Sequence, residues 1–132
     1  MTGYELPPYA LGLGIELDHD EDGVPVLFMD FSERVMGRPG FLHGGALSGL
    51  MEMAGFAALR TELARRGEDA VLKPVNVQVE FMRGGTELRT FAAGQITRAG
   101  RRVALINVSA WQDDRAKPIA LAQMKILLSP AG

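Results

Sequence analysis

Apolar residues recur along this chain with two different periods, and the switches between them outline the secondary structure. Leu13 to Leu17 and Val24 to Phe31 are short apolar runs that read as strands. Between them lies Asp18-His19-Asp20-Glu21-Asp22-Gly23, whose Asp-Gly end is a hairpin signal. Ser32 to Gly40 is a connection rich in turn formers, with Gly37, Pro39 and Gly40. A long helical pattern then runs from about Ala46 to Arg66, and Gly67 closes it after two arginines in the last turn. Beyond it the period drops to two: Val75, Val77, Val79 and Phe81 alternate with Asn76, Gln78, Glu80 and Met82. Gly84-Gly85 ends that strand. Leu88 to Thr97, Arg102 to Gln112 and Ile119 to Leu128 are three more, parted by turns at Ala99-Gly100 and Asp113-Asp114. Two strands, one helix and four strands joined by short links predict an α+β layer with an antiparallel sheet.

The first half of the helix predicts how the layers meet. Ala46, Leu47, Leu50, Met51, Met53, Ala54, Phe56, Ala57, Ala58 and Leu59 point in nearly every direction around its axis. A helix apolar all round is expected to be buried all round, as inside a curved sheet. The second half, Arg60 through Arg66, turns polar and should emerge into water. Met51, Met53, Phe56 and Phe81 fit core packing better than a ligand pocket, because apolar side chains at such spacing are more often core.

Glu52 breaks the apolar half. A carboxylate among these residues loses hydration and must be paired with a cation or poised for chemistry. His43-Gly44-Gly45 precedes it at the helix start, where the first backbone N–H groups lack partners and the helix dipole favours negative charge. Glycine there lets a ligand approach the backbone, so the turn can serve as an oxyanion hole. From Gly44 to Glu52 is ~12 Å along a helix. A base and an oxyanion donor must each come within ~3 Å of the reacting group. One chain cannot supply both to one substrate. If both are catalytic, two copies with antiparallel helices must share each site.

Composition narrows the class. The 132 residues make a single domain, 1–132, and 47% apolar content is enough for a core. A net charge of −2 gives no reason to expect nucleic acid. The absence of cysteine removes disulfides, thiolate metal sites and a cysteine nucleophile. Met1 to Leu17 lacks the basic start and apolar stretch of a signal peptide, and no apolar run suits a membrane span. A cytoplasmic protein is expected. Asp18, Asp20 and Asp22 ahead of Gly23 sit at calcium-loop spacing. The twelfth loop position is Met29 where such a loop needs Glu, so a solvated turn is the reading and no metal is expected.

The segment His43-Gly-Gly-Ala-Leu-Ser-Gly-Leu-Met-Glu52, with Val-Gln-Val-Glu-Phe-Met-Arg83 and Gly84 after it, resembles hotdog-fold acyl-coenzyme A thioesterases of the phenylacetate-degradation type. The likeness runs from about Leu13 to Leu128. It implies a hotdog fold of about five or six antiparallel strands around one long central helix, in a homodimer or homotetramer. It implies that the Gly44 N–H polarises the thioester carbonyl, that Glu52 of the partner subunit acts as base or nucleophile, and that His43 shapes the loop. The substrate would also meet Gly45, Ser48, Phe56, Asn76 and Gln78. The nucleotide would rest on Arg83, Arg101 and Arg102, and coenzyme A would enter as substrate, with no separate cofactor. Three positions depart from the family pattern: Gly37 replaces an Asn or Gln, and Phe56 and Pro74 stand where a Ser or Thr orients water.

Three functions are therefore open. The first is a thioesterase. The second is a non-catalytic acyl-coenzyme A-binding dimer, which the departures favour slightly. The third is a hydratase, which ranks last because the second His it would pair with an acid is His19, in the acidic turn.

Overall fold

A computed structural model describes residues 4–130, so Met1 to Gly3 at the head of the Met1–Leu17 stretch, and the last two residues, lie outside the described residues. The elements are α1 (Pro8–Gly12), β1 (Ile15–Glu21), β2 (Val24–Met29), a 3-10 turn (Glu33–Val35), α2 (Gly44–Arg65), β3 (Ala70–Phe81), β4 (Thr90–Ala99), β5 (Val103–Trp111) and β6 (Ala120–Pro130). The six strands form one antiparallel sheet in the order β1-β2-β4-β5-β6-β3, with α2 on one face. This is the expected α+β hotdog layer.

Local chemistry explains the joints. At the β1–β2 turn Asp22 and Gly23 both have positive φ, 51° and 82°, the primed turn that suits the twist of a hairpin. So tight a turn lets pairing continue to Glu21 opposite Val24, so β1 runs on through the acidic stretch read as a loop. Helix α2 ends in a Schellman motif. Gly67 takes φ 69°, its N–H donates to the Ala64 carbonyl, and the Glu68 N–H donates to that of Leu63. β3 starts at Ala70, five residues before the expected Val75, and passes Pro74 through a bulge. Proline is tolerated there because β3 is an edge strand, with no neighbour on one side among the described residues.

The expectation that α2 is buried all round is corrected. Leu50, Met51, Ala54, Ala57, Ala58 and Leu59 are buried, but Ser48, Glu52, Met53 and Phe56 are only half-buried. The cause is placement: α2 lies across β2, β4 and β5 and hardly touches β3 and β6. Its far side meets α1, a short element the apolar pattern does not foresee. Among the described residues, no helix is long and apolar enough to cross a membrane.

Candidate active site

The start of α2 is held from three sides. The His43 N–H donates to the Val35 carbonyl at 2.8 Å, and the Leu42 N–H donates to that of Gly85 at 2.9 Å. Met36 and Leu42 close a small bridge. A Cβ on Gly37 would stand 3.2 Å from the His43 Cα, so glycine at 37 lets the loop fold tightly under the histidine. His43 is the N-cap, and its Nδ1 accepts from the Gly45 N–H at 2.8 Å. Accepting at Nδ1 fixes the neutral ring as its Nε2–H tautomer. That bond satisfies one of the orphan donors of the first turn. The helix thus begins at Gly44, two residues earlier than the apolar pattern suggests. The Gly44 N–H has no acceptor among the described residues. The Phe81 ring, 56% exposed, lies 3.4 Å from where a Cβ on Gly44 would be.

Glu52 stands two turns further along. Among the described residues its carboxylate makes no hydrogen bond and no ion pair, so no arginine of the neighbouring strands neutralises it. Burial raises its pKa above the ordinary carboxylate value. Ser48 is one turn before it and Phe56 one turn after, both half-buried. A half-buried carboxylate with no partner among the described residues is a group that can accept a proton. It is also ~12 Å along the helix from the Gly44 N–H, too far for one substrate carbonyl to meet both within a protomer.

The other residues fall into three groups. Met51 belongs to the core, while Met53 and Phe56 remain half-buried on the Glu52 side. Asn76 and Gln78 lie on the outer face of the sheet, opposite α2. Gln78 pairs in register with Gln123, Gln123 with Asn107, and Asn107 with Gln95, a row of four amides across β3, β6, β5 and β4. Shallow clefts along this face contain Asn76 and Gln78 but neither Glu52 nor Gly44. Within the protomer these two amides do not join the helix residues. Arg83 sits at the Phe81 end of β3, near Gly44, whereas Arg101 and Arg102 occupy the β4–β5 turn at the far end of the sheet. All three are exposed.

His19 is committed elsewhere. Its ring nitrogens contact Asp18 at 2.5 Å and Glu21 at 3.0 Å, and Glu21 binds Arg115 at 2.6 Å. The bonds to Glu21 and Asp18 raise its pKa. It stands on β1, the edge of the sheet opposite β3. No cluster of metal-ligating side chains is found among the described residues.

Sequence reasoning missed Tyr9. Its hydroxyl would be 2.5 Å from a Cβ placed on Gly49, one turn before Glu52 and Met53. Pro8 opening a short helix was the available signal, since proline is favoured in a first turn.

Comparison with known proteins agrees with this architecture. The family model described as the thioesterase superfamily matches residues 39–119, which include the loop, α2 and β3. A crystal structure from Chromobacterium violaceum is 33% identical with a TM-score of 0.74, over 95% of this chain and 85% of that one. A mutant thioesterase from Pseudomonas aeruginosa is 22% identical with a TM-score of 0.78, over 92% of this chain and 86% of that one. A curated Saccharolobus solfataricus protein, provisionally named an esterase, is 28% identical over 100 residues, 75% of this chain. The match spans 63% of that relative's length.

Proposed function

The chain belongs to the thioesterase superfamily, and from that membership we propose that it hydrolyses an acyl- or aryl-coenzyme A thioester to the free acid and coenzyme A. The observation that carries the reading is one helix bearing an unsatisfied N–H at its start and an unpaired carboxylate ~12 Å further on. Two protomers pairing through the open edge of β3, with helices antiparallel, bring the Gly44 of one to the Glu52 of the other. β3 suits that role: it is 12 residues long, unpaired on one side, and exposes Val71, Val75 and Phe81. The homodimer is the smallest assembly with a complete site, and a homotetramer would carry two such dimers. The cytoplasm is the setting in which it would act.

The chemistry is simple. Glu52 takes a proton from water as the water oxygen attacks the thioester carbon. The oxyanion that forms accepts the Gly44 N–H. The carbon–sulfur bond breaks, and the Glu52 carboxylic acid returns its proton to the departing thiolate. Arg83, Arg101 and Arg102 lie at opposite ends of one protomer, and an antiparallel pair brings both ends of the sheet to each site for the nucleotide phosphates.

Complementation tests the shared site. Glu52→Gln and Gly44→Pro, each inactive alone, are co-expressed with different tags and assayed with acyl- and aryl-coenzyme A thioesters and a thiol reagent. A mixed dimer has one site with both lesions and one with none, so the purified mixed dimer regains about half of wild-type activity. No recovery in a purified mixed dimer sinks the shared site. Tight thioester binding by the wild type without thiol release would favour the binding dimer instead.

A further inference from the structure

The segment α1 contributes an oxygen to the Glu52 neighbourhood. Three observations place it there. Ala10 is fully buried, and the Arg34 guanidinium donates to the Gly12 carbonyl at 3.0 Å, so α1, which also packs against α2, is tied to the 3-10 turn. The Tyr9 hydroxyl lies over Gly49, in the space a side chain there would occupy, and the Leu13 side chain lies beside it. Among the described residues the hydroxyl has no hydrogen-bond partner.

Gly49 and Glu52 are three residues apart on one helix face, where Cβ positions are ~5–6 Å from each other. Helix side chains lean toward the N-terminus, so the Glu52 carboxylate leans over the turn containing Ser48 and Gly49. The hydroxyl over Gly49 and the Glu52 carboxylate therefore belong to one side of α2, with no hydrogen bond between them among the described residues. Phe56, one turn after Glu52, offers no polar atom, and Ser48 is the second hydroxyl on this face.

We propose that the Tyr9 hydroxyl orients the water that Glu52 activates, which makes Tyr9 a positioning residue of the reaction. The inference rests on the hydrolytic reading of Glu52 given above. It also assigns a purpose to Gly49: any side chain there displaces the hydroxyl, which is the movable end of a side chain 55% exposed.

The test uses Tyr9→Phe, which removes only the oxygen, and Gly49→Ala, which displaces it. Each is assayed for kcat and KM on the thioester that wild type hydrolyses best. Each is also titrated by carbon NMR, with the Glu52 carboxyl resonance assigned by its loss in Glu52→Gln. The expected result is a fall in kcat of about tenfold or more in both variants, with KM within about twofold. The Glu52 titration should move upward in both, because a hydrogen-bonded water no longer supports the anion. An unchanged titration in Tyr9→Phe overturns the inference whatever the turnover does, and so does an unchanged kcat. Wild type that releases no thiol from any thioester sinks the hydrolytic reading instead. In that case the titration alone decides whether the hydroxyl and the carboxylate share a water.

Discussion

Gly94 of β4 meets Gly55 of α2 with no side chain on either residue. A Cβ on Gly94 would stand 3.2 Å from the Gly55 Cα and 3.1 Å from the Ala54 carbonyl oxygen. Those neighbours are helix backbone and cannot rotate away. The contact sets how deeply α2 sits on the sheet, and with it the height of Glu52 three residues earlier.

Gly94→Val should therefore destabilise the fold by about 1–3 kcal/mol, the range for overpacking a close contact. Gly100→Ala is the control, because its Cβ would meet only the Val103 carbonyl at an ordinary 3.4 Å. Urea midpoints measured at constant slope separate the two.

Gly44→Pro should spare the fold and lose the reaction. Proline suits the first position of a helix. His43 has φ −69° and ψ 131°, the extended conformation a residue before proline adopts. The substitution removes an N–H that has no partner among the described residues. Thermal unfolding should stay close to wild type while kcat falls about 10²–10³-fold. Gly44→Ala retains the N–H and should keep most of the activity.

Glu52→Gln should abolish hydrolysis and stabilise the protein at neutral pH. The ordinary carboxylate value is 4.5, and burial holds Glu52 above it. Between the two values the folded chain keeps a proton that the unfolded chain has lost, so stability falls as pH rises through that window. Glutamine carries no charge and removes the fall. Calorimetry should find the two proteins alike below pH 4.5 and the variant more stable at neutral pH. The acid limb of wild-type kcat/KM should lie above the ordinary carboxylate value, since Glu52 as the proposed base must be ionised.

His43→Leu should cost about 1 kcal/mol, because the Gly45 N–H loses its acceptor. His43→Asn supplies a short side-chain oxygen at the cap and should recover most of that loss. Urea midpoints report both.

Much of the architecture was legible in the chain because period and turn chemistry act locally. The Asp22-Gly23 hairpin and the Gly67 helix stop follow from residues that accept positive φ. The alternation along β3 separates Val77 and Val79, half-buried toward α2, from Asn76, Gln78 and Glu80 on the outer face. What pattern cannot supply is the position of one element over another. The half-exposed face of α2 follows from where the helix crosses the sheet. Tyr9 over Gly49 depends on a five-residue helix too short to show a period. Of the candidate site, the His43-Gly44-Gly45 helix start was legible from residue type alone, whereas Glu52, expected among buried residues, is half-buried. That no cation among the described residues pairs with Glu52 required coordinates, since the sequence allowed an arginine from a neighbouring strand.

The bond from the Gly45 N–H to the His43 ring also bears on how heat would act. Helix ends fray at far smaller free energies than whole domains unfold. The Gly44 N–H, proposed as the oxyanion donor, belongs to the first turn of α2 and is ordered only while that turn stays wound. Warming should therefore silence turnover some degrees before the sheet melts, and cooling should restore it without any refolding step.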